Sequence, residues 1–194
     1  VPNSYHLGLT PYMKSIGMVY QLLPTMQYTE LPARTSKAYD VVTKKYRWGG
    51  MTENPYLDET AGRMLSGVRS SMTRLSAELI FEGDQLQASG DTLAADKKYR
   101  QAVEVLDLIE KNLPQSAKKY SIFSEGLDIG RHYAHLGAEL GDEKMKQKGL
   151  ALIEGMLKRY AQYIRYYNAL KMSFQYPSLT YETQYIPYYM NEFI

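Results

Sequence analysis

The sequence predicts a mainly α-helical fold, in which antiparallel helix pairs follow an irregular N-terminal segment. Three observations predict it. Five of the eight prolines fall within residues 1–57, where no regular apolar pattern is sustained. From Asp58 onward, apolar residues recur every three or four positions, as they do on the buried face of an amphipathic helix. Glycine followed by aspartate interrupts this pattern at Gly83-Asp84 and again at Gly141-Asp142.

Length and composition place the chain among ordinary globular proteins. Its 194 residues are enough for a domain with its own core, and 44% apolar with 23% charged residues argues against disorder. The 23 basic and 21 acidic residues nearly balance, which argues against a nucleic-acid-binding surface. The absence of cysteine excludes disulfides and thiolate sites. No apolar run reaches the roughly 18–20 residues that cross a bilayer.

Residues 1–57 are predicted to form an irregular segment that packs on a helical-repeat domain of residues 58–194, the whole being one compact unit. Residues 16–23 fit either a short strand or a helical turn, and their pattern does not decide between them. The first residues, VPNSYHLGLTPY, lack a methionine and the basic flank and apolar core of a signal peptide. We therefore expect the chain to be a piece of a longer protein.

The first predicted helix starts at Asp58 or Thr60, either of which can cap it, and stops at Gly83, where a left-handed residue is tolerated. The second runs over residues 91–112 and ends before Pro114. The apolar stripes of the two helices are Leu65, Val68, Met72, Leu75 and Leu79, and Tyr99, Val103, Leu106, Ile109 and Leu113.

The third predicted helix covers residues 121–140, and a fourth begins near Asp142. Small residues on the third helix, Gly130, Ala134 and Gly137, leave room for a neighbouring helix to approach closely. A short fifth helix is predicted between residues 177 and 194.

Two helix pairs, each joined at a Gly-Asp break, follow the logic of a tetratricopeptide-like α–α superhelix, in which each pair buries its open face against the next. The strict 34-residue period and the Trp-Leu-Gly-Tyr signature of that repeat are absent from the sequence.

Adjacent carboxylates at Asp58 and Glu59 have two interpretations. They are a candidate acid pair for glycoside hydrolysis, which requires two carboxyl groups at a defined separation across a sugar. They are also what a helix start favours, because a capping residue and a first-turn acid stabilise the positive end of the helix dipole. The second interpretation is favoured, since adjacent residues at a helix start point in different directions.

A metal site is an alternative at Asp128, His132 and His135, which lie at helical spacing on the third helix. Partly buried histidines between helices are favoured, because no HExxH motif or other ligand cluster accompanies them. Phosphate-binding glycine loops, a nucleophile elbow and a cysteine nucleophile are all absent. No metal and no cofactor is therefore expected.

Aromatic residues suggest where the chain binds a partner. Tyr46 and Trp48 alternate with Lys45 and Arg47 in a small basic patch. Tyrosine is unusually frequent, with 19 copies, and many of them crowd the C-terminal end. Tyrosines suit half-wet grooves that hold peptide or sugar, although packing between helices is favoured for most of them. Tyr166, off the apolar stripe of the fourth helix, is the best candidate for an exposed one.

Arg63 and Arg74 lie three turns apart on one flank of the first predicted helix. They are candidates for holding an acidic group, with solvated arginines as the favoured alternative.

Several segments together resemble a known family: YHLGLTPYMKSIGMVYQLLP (residues 5–24), KKYRWGGMTENPYLDETAGRM (residues 44–64), and SSMTRLSAELIFEGD with AVEVLDLIEKNLP further on. They look like the C-terminal soluble region of a family of large bacterial membrane proteins, a domain of unknown function similar to transmembrane protein O-mannosyltransferases. The resemblance covers most of residues 5–170. The tyrosine-rich residues 171–194 have no match in it.

The resemblance implies a multi-span N-terminal membrane half of the lipid-linked-sugar glycosyltransferase type, with the C-terminal half outside the cytoplasm. The catalytic carboxylate of such a parent lies in the membrane half, so no catalytic residue is carried over onto this chain. The implied location is the periplasmic face, with the domain tethered to the membrane through the parent.

The expected function is therefore that of a non-catalytic extracytoplasmic helical-repeat domain, which binds acceptor protein, glycan or a partner subunit. Its candidate binding residues are Tyr46, Trp48, Arg63, Arg74 and Tyr166. Two alternatives stay open: a free-standing glycan-active hydrolase that uses Asp58 or Glu59, and a secreted protein that captures sugars by stacking on tyrosines.

Overall fold

The computed structural model describes residues 9–16, 19–24, 35–49, 55–121 and 124–169. It is mainly helical with packed antiparallel helix pairs, which confirms the predicted fold class. The helices are α1 (Thr35–Asp40), α2 (Glu59–Ala88), α3 (Thr92–Asn112), α4 (Glu125–Glu139) and α5 (Glu143–Ala169). In these ranges, no helix combines the length and apolarity that crossing a bilayer requires. The predicted fifth helix at residues 177–194 lies outside the described residues.

The chain divides into two compact units, with the boundary between Lys118 and Lys119. The predicted division between residues 57 and 58 falls inside the first unit. Helices α2 and α3 pack on each other in the first unit, and α4 and α5 pack on each other in the second.

The first unit begins with a hairpin. A 3₁₀ turn (Thr10–Tyr12) leads into strand β1 (Met13–Ile16), which pairs antiparallel with β2 (Val19–Leu22). Leu23 N donates to Tyr12 O at 2.7 Å and extends the pairing beyond the strands. In the stretch at residues 16–23, which the sequence left undecided, the described residues 16 and 19–22 are therefore strand.

Polar contacts hold α1 against the α2–α3 pair. Thr35 Oγ1 donates to the carboxylate of Glu82, 2.9 and 2.8 Å from its two oxygens. Lys98 Nζ lies 2.5 Å from Glu82 Oε2 and 3.2 Å from Thr35 Oγ1. One turn along α1, the hydroxyl of Tyr39 donates to the carboxylate of Glu104. The chain then passes through a π-helical turn (Val41–Lys45) and leaves the helix at Tyr46 in an extended conformation.

Helix α2 starts where the sequence predicts and stops later. Asp58 Oδ1 accepts from Ala61 N at 2.7 Å, which is an N-cap. The predicted stop at Gly83 is wrong, because α2 continues to Ala88. Gly83 is buried, and a Cβ atom there would lie 2.5 Å from Cε1 of Tyr99. The glycine at position 83 therefore makes room for the ring of Tyr99 instead of ending the helix.

The true Gly-Asp break of the first pair lies about two helical turns further along the chain, at Gly90-Asp91. Gly90 adopts a left-handed conformation (φ +89°), and Asp91 Oδ1 accepts from Ala94 N at 3.0 Å to start α3. The second pair repeats this arrangement at the position that the sequence predicts. Gly141 has φ +68°, and Asp142 Oδ1 accepts from Met145 N at 3.0 Å.

A buried cation holds the end of α3 in the first unit. Arg69 of α2 is fully buried, and its Nε and Nη2 donate to Leu113 O at 2.9 and 2.6 Å. Nη2 also donates to Pro114 O at 2.7 Å. The last carbonyls of a helix have no partner within the helix and carry partial negative charge, so a guanidinium is well matched to them.

Glycines bring α4 and α5 close together in the second unit. A Cβ atom at Gly149 would lie 2.4 Å from Ala134 N and 2.5 Å from Gly130 O, and one at Gly137 would lie 2.4 Å from Lys146 N. These are backbone atoms, so the two helix backbones nearly touch. The expectation that small residues on the third predicted helix admit a close neighbour is confirmed. Large buried side chains complete this core: Leu127, Ile129, Tyr133, Leu136, Met156 and Tyr160.

Gly149→Ala is expected to destabilise the protein by about 1–3 kcal/mol, because the added methyl group meets backbone that cannot move aside. Gly155→Ala, on the same helix, is the matched control: a Cβ atom there meets nothing within 4 Å. That change is expected to stabilise by about 0.5–1 kcal/mol through alanine's better helix propensity. Urea unfolding of both variants measures the difference, and equal shifts in the two would contradict the close helix contact.

Candidate functional site

An open groove of about 580 Å³ lies within the first unit. Residues 45–49 form its wall, the N-terminal half of α2 forms its floor, and the end of α3 closes it. The groove thus joins three segments that are far apart in the sequence. It contains two of the candidate binding residues, Tyr46 and Trp48.

The wall carries an aromatic pair. The rings of Tyr46 and Trp48 meet edge to face, with centroids 5.6 Å apart and planes at 67°. Tyr46 is extended (φ −67°, ψ 134°), and in extended backbone residues two apart share a face. Both side chains are half-buried. The contact between the rings therefore places both candidate aromatic residues side by side in the groove lining.

The floor is one face of α2. Ala61, Met64, Leu65 and Val68 line the groove at i, i+3, i+4 and i+7, the spacing of side chains on a single helical face. Leu65 is buried, Val68 is half-buried, and Met64 is 69% exposed at the mouth. The sequence places Leu65 and Val68 together on the core stripe, but the groove leaves Val68 only partly covered.

The end of α3 closes the groove with Asn112 and Leu113. Leu113 is buried, and its carbonyl is the one that Arg69 holds. Asn112 Nδ2 donates back to Leu108 O at 3.0 Å, which keeps that side chain at the helix end. The position of this rim therefore depends on the packing of α3 against α2.

The groove has a basic edge. Lys45 and Arg47 line it and are exposed. Within the described ranges, neither forms a salt bridge, whereas Lys44 beside them pairs with Asp40 at 2.6 Å. Lys118 adds a third cation nearby, because its Nζ donates to Gly62 O at 2.6 Å on the residue after groove-lining Ala61.

The remaining candidate residues lie apart from the groove lining. Arg63 is paired with Glu59, and Arg74 lies 3.9 Å from Glu78, each within α2. The two arginines are separated by about 16 Å along the helix axis. Tyr166 belongs to α5 in the second unit, where it is 59% exposed. Of the five candidates, the structure brings only Tyr46 and Trp48 together in one site.

Asp58 and Glu59, the candidate acid pair, make only local contacts. Asp58 caps α2 through Ala61 N, and Glu59 forms an ion pair with Arg63 one turn later on the helix surface. Neither lines the groove. The cap that the sequence favours for Asp58 is confirmed.

The candidate metal ligands lie on α4. Burial lowers the pKa of His132 to about 4, helped by the nearby His135 and Arg131. Among the residues that the structure describes, no group of three or more histidines and carboxylates is placed to hold a metal ion. The neutral, partly buried imidazole is consistent with a packing role for His132.

His132→Gln is expected to flatten the acid side of the stability profile. In the folded protein, His132 stays neutral until the pH approaches its pKa of about 4. In the unfolded chain, the same side chain binds a proton near pH 6.5. The free energy of unfolding therefore falls as pH drops through this window, by at most about 1.4 kcal/mol per pH unit from this group. Urea unfolding between pH 7 and 4.5 measures the slope. An unchanged slope in His132→Gln would show that another group is responsible.

Comparison of the chain with protein-family models, curated proteins and solved structures gave no match. The family resemblance of residues 5–170 therefore stays a prediction.

Sequence reasoning missed much of the groove. Met64, Asn112 and Leu113 were not among the candidate binding residues, although Leu113 was expected on the apolar stripe of α3. One signal was available: Ala61 and Met64 extend the stripe of Leu65 and Val68 toward the N-terminus of α2, where no predicted helix covers it. An apolar face that extends beyond the part packed against the neighbouring helix indicates contact with another segment or with a ligand.

Proposed function

We propose that the chain is a non-catalytic helical domain that binds a partner, either acceptor protein, glycan or a partner subunit, at the groove of Tyr46 and Trp48. The groove itself is the observation that carries the proposal. It is concave, largely apolar and edged by a few polar groups, which is typical of binding sites. Tyrosine, tryptophan and methionine are also the residues that binding surfaces favour.

The absence of acid pairs from the groove supports a non-catalytic role. Hydrolysis of a glycosidic bond uses two carboxyl groups roughly 5–10 Å apart across the sugar. Among the residues that the structure describes, those that line the groove include no carboxylate, and Asp58 and Glu59 are engaged in capping and surface pairing. These contacts favour binding over the alternative of a glycan-active hydrolase.

The proposal also covers the parent protein and the cellular location of the domain. We propose that it belongs to a membrane glycosyltransferase-like parent and lies at the periplasmic face. The support for this part is the family resemblance alone, and residues 44–64 are one of the segments that carry it. That same segment supplies the aromatic wall and the N-terminal part of the floor, so a signature of the family and a binding surface coincide.

Photo-crosslinking tests the groove. A benzoylphenylalanine in place of Met64, at the mouth, is expected to give a discrete crosslinked product in cells that make the full-length protein. The same photo-reactive residue in place of Phe81 is the control, because Phe81 is also exposed on α2 but does not line the groove. Equal products from both positions, or none from position 64, would overturn the proposed site.

The reading frame upstream of Val1 tests the setting. About ten apolar spans of about 20 residues are expected there if the parent is a multi-span membrane protein. A signal peptide joined directly to Val1 would overturn the tethered setting and favour a secreted binding protein. The groove proposal would be unaffected by that outcome.

A further inference from the structure

The groove has chemistry that points to a particular kind of ligand. We infer that it is a small-molecule site for an organic anion with a flat apolar body, such as an aromatic carboxylate or sulfonate. This inference rests on the same groove as the proposed function, and goes beyond it by assigning a ligand class that is not a macromolecule.

The size of the groove fits such a ligand. Sites for drug-sized molecules measure roughly 300–1,000 Å³, and this groove measures about 580 Å³. A flat apolar body can lie against the rings of Tyr46 and Trp48 and the apolar side chains of α2 that share the groove lining with them.

The charge at the groove fits an anion. Lys45 and Arg47 line it without an ion-pair partner in the described part of the chain, and no carboxylate is among the lining residues. Three acidic side chains near these cations in the described part of the chain are engaged elsewhere: Asp40 pairs with Lys44, Glu59 pairs with Arg63, and Asp58 caps α2. An arriving carboxylate or sulfonate thus meets two cations that have no competing partner here, and charge-assisted hydrogen bonds to such groups are the stronger kind.

Two matched dyes test the inference. Anilinonaphthalene sulfonate carries the anion, and phenylnaphthylamine has the same aromatic body without it. Both are expected to bind with one site per chain and to accept energy from Trp48, the single tryptophan. Lys45→Gln with Arg47→Gln is expected to weaken the sulfonate dye about tenfold and leave the neutral dye unchanged. Lys97→Gln with Lys144→Gln removes the same charge from exposed positions outside the groove lining and is the control.

Two substitutions of opposite charge at Met64, at the mouth of the groove, separate electrostatic attraction from packing. Met64→Lys and Met64→Glu both remove the thioether from an exposed position, so both are expected to fold. Met64→Lys is expected to strengthen binding of the sulfonate dye relative to Met64→Glu, by about tenfold at low salt and less at high salt. The neutral dye is expected to bind the two variants equally.

Two results would overturn the inference in different ways. If the charge variants alter both dyes equally, the groove binds apolar groups without preferring anions, and the proposed partner-binding function stands. If neither dye responds to any change at Met64, Lys45 or Arg47, the groove is not a small-molecule site. The crosslinking result at position 64 then decides the partner-binding function independently.

Discussion

The buried guanidinium of Arg69 is the contact on which the first unit depends. It joins the first half of α2 to the carbonyls of Leu113 and Pro114, which directly follow the end of α3. A buried carbonyl that loses its partner costs about 1–3 kcal/mol, and a buried charge that loses its partners costs more. This single side chain therefore fixes where α3 ends relative to α2. Because Leu113 also closes the groove, the shape of the candidate site follows from the same contact.

The other side of the groove depends on a different set of interactions. Its wall follows α1 and the π-helical turn, and so its position is set by how α1 sits on the helix pair. The carboxylate of Glu82 accepts a hydrogen bond from Thr35 and forms an ion pair with Lys98. The carboxylate of Glu104 accepts a hydrogen bond from the hydroxyl of Tyr39. Burial and the neighbouring Glu104 raise the pKa of Tyr39 to about 12, so this hydroxyl remains a donor throughout the physiological range. The polar contacts of α1 thus set the position of Tyr46 and Trp48, the aromatic residues that follow it in the chain.

The two units solve the problem of helix packing in different ways. In α2–α3, a glycine at position 83 admits one large ring, that of Tyr99, whose hydroxyl reaches Asp84 and Gln87. In α4–α5, glycines on both helices remove side chains altogether and let the backbones meet.

The sequence by itself determined the helices and their joints in large part. Periodicity placed α3 and α5 closely, and Asp58 and the Gly141-Asp142 joint have the predicted capping roles. These features are local: a cap or an amphipathic stripe depends on residues within a few positions of each other. Gly83 shows the limit, because a glycine that ends a helix and a glycine that admits Tyr99 look alike in the sequence. The distinction requires knowing which side chain of α3 arrives there.

Tertiary structure decided the candidate site. Tyr46 and Trp48 are suggestive in the sequence, but their partners Met64, Val68 and Leu113 come from segments up to 67 positions away. Arg63 and Arg74 are equally suggestive, yet each finds a partner within its own helix and neither lines the groove. A pattern along the chain reports which face of a helix is apolar. Only the packing of one helix against another determines which part of that face is left uncovered, and so where a ligand can bind.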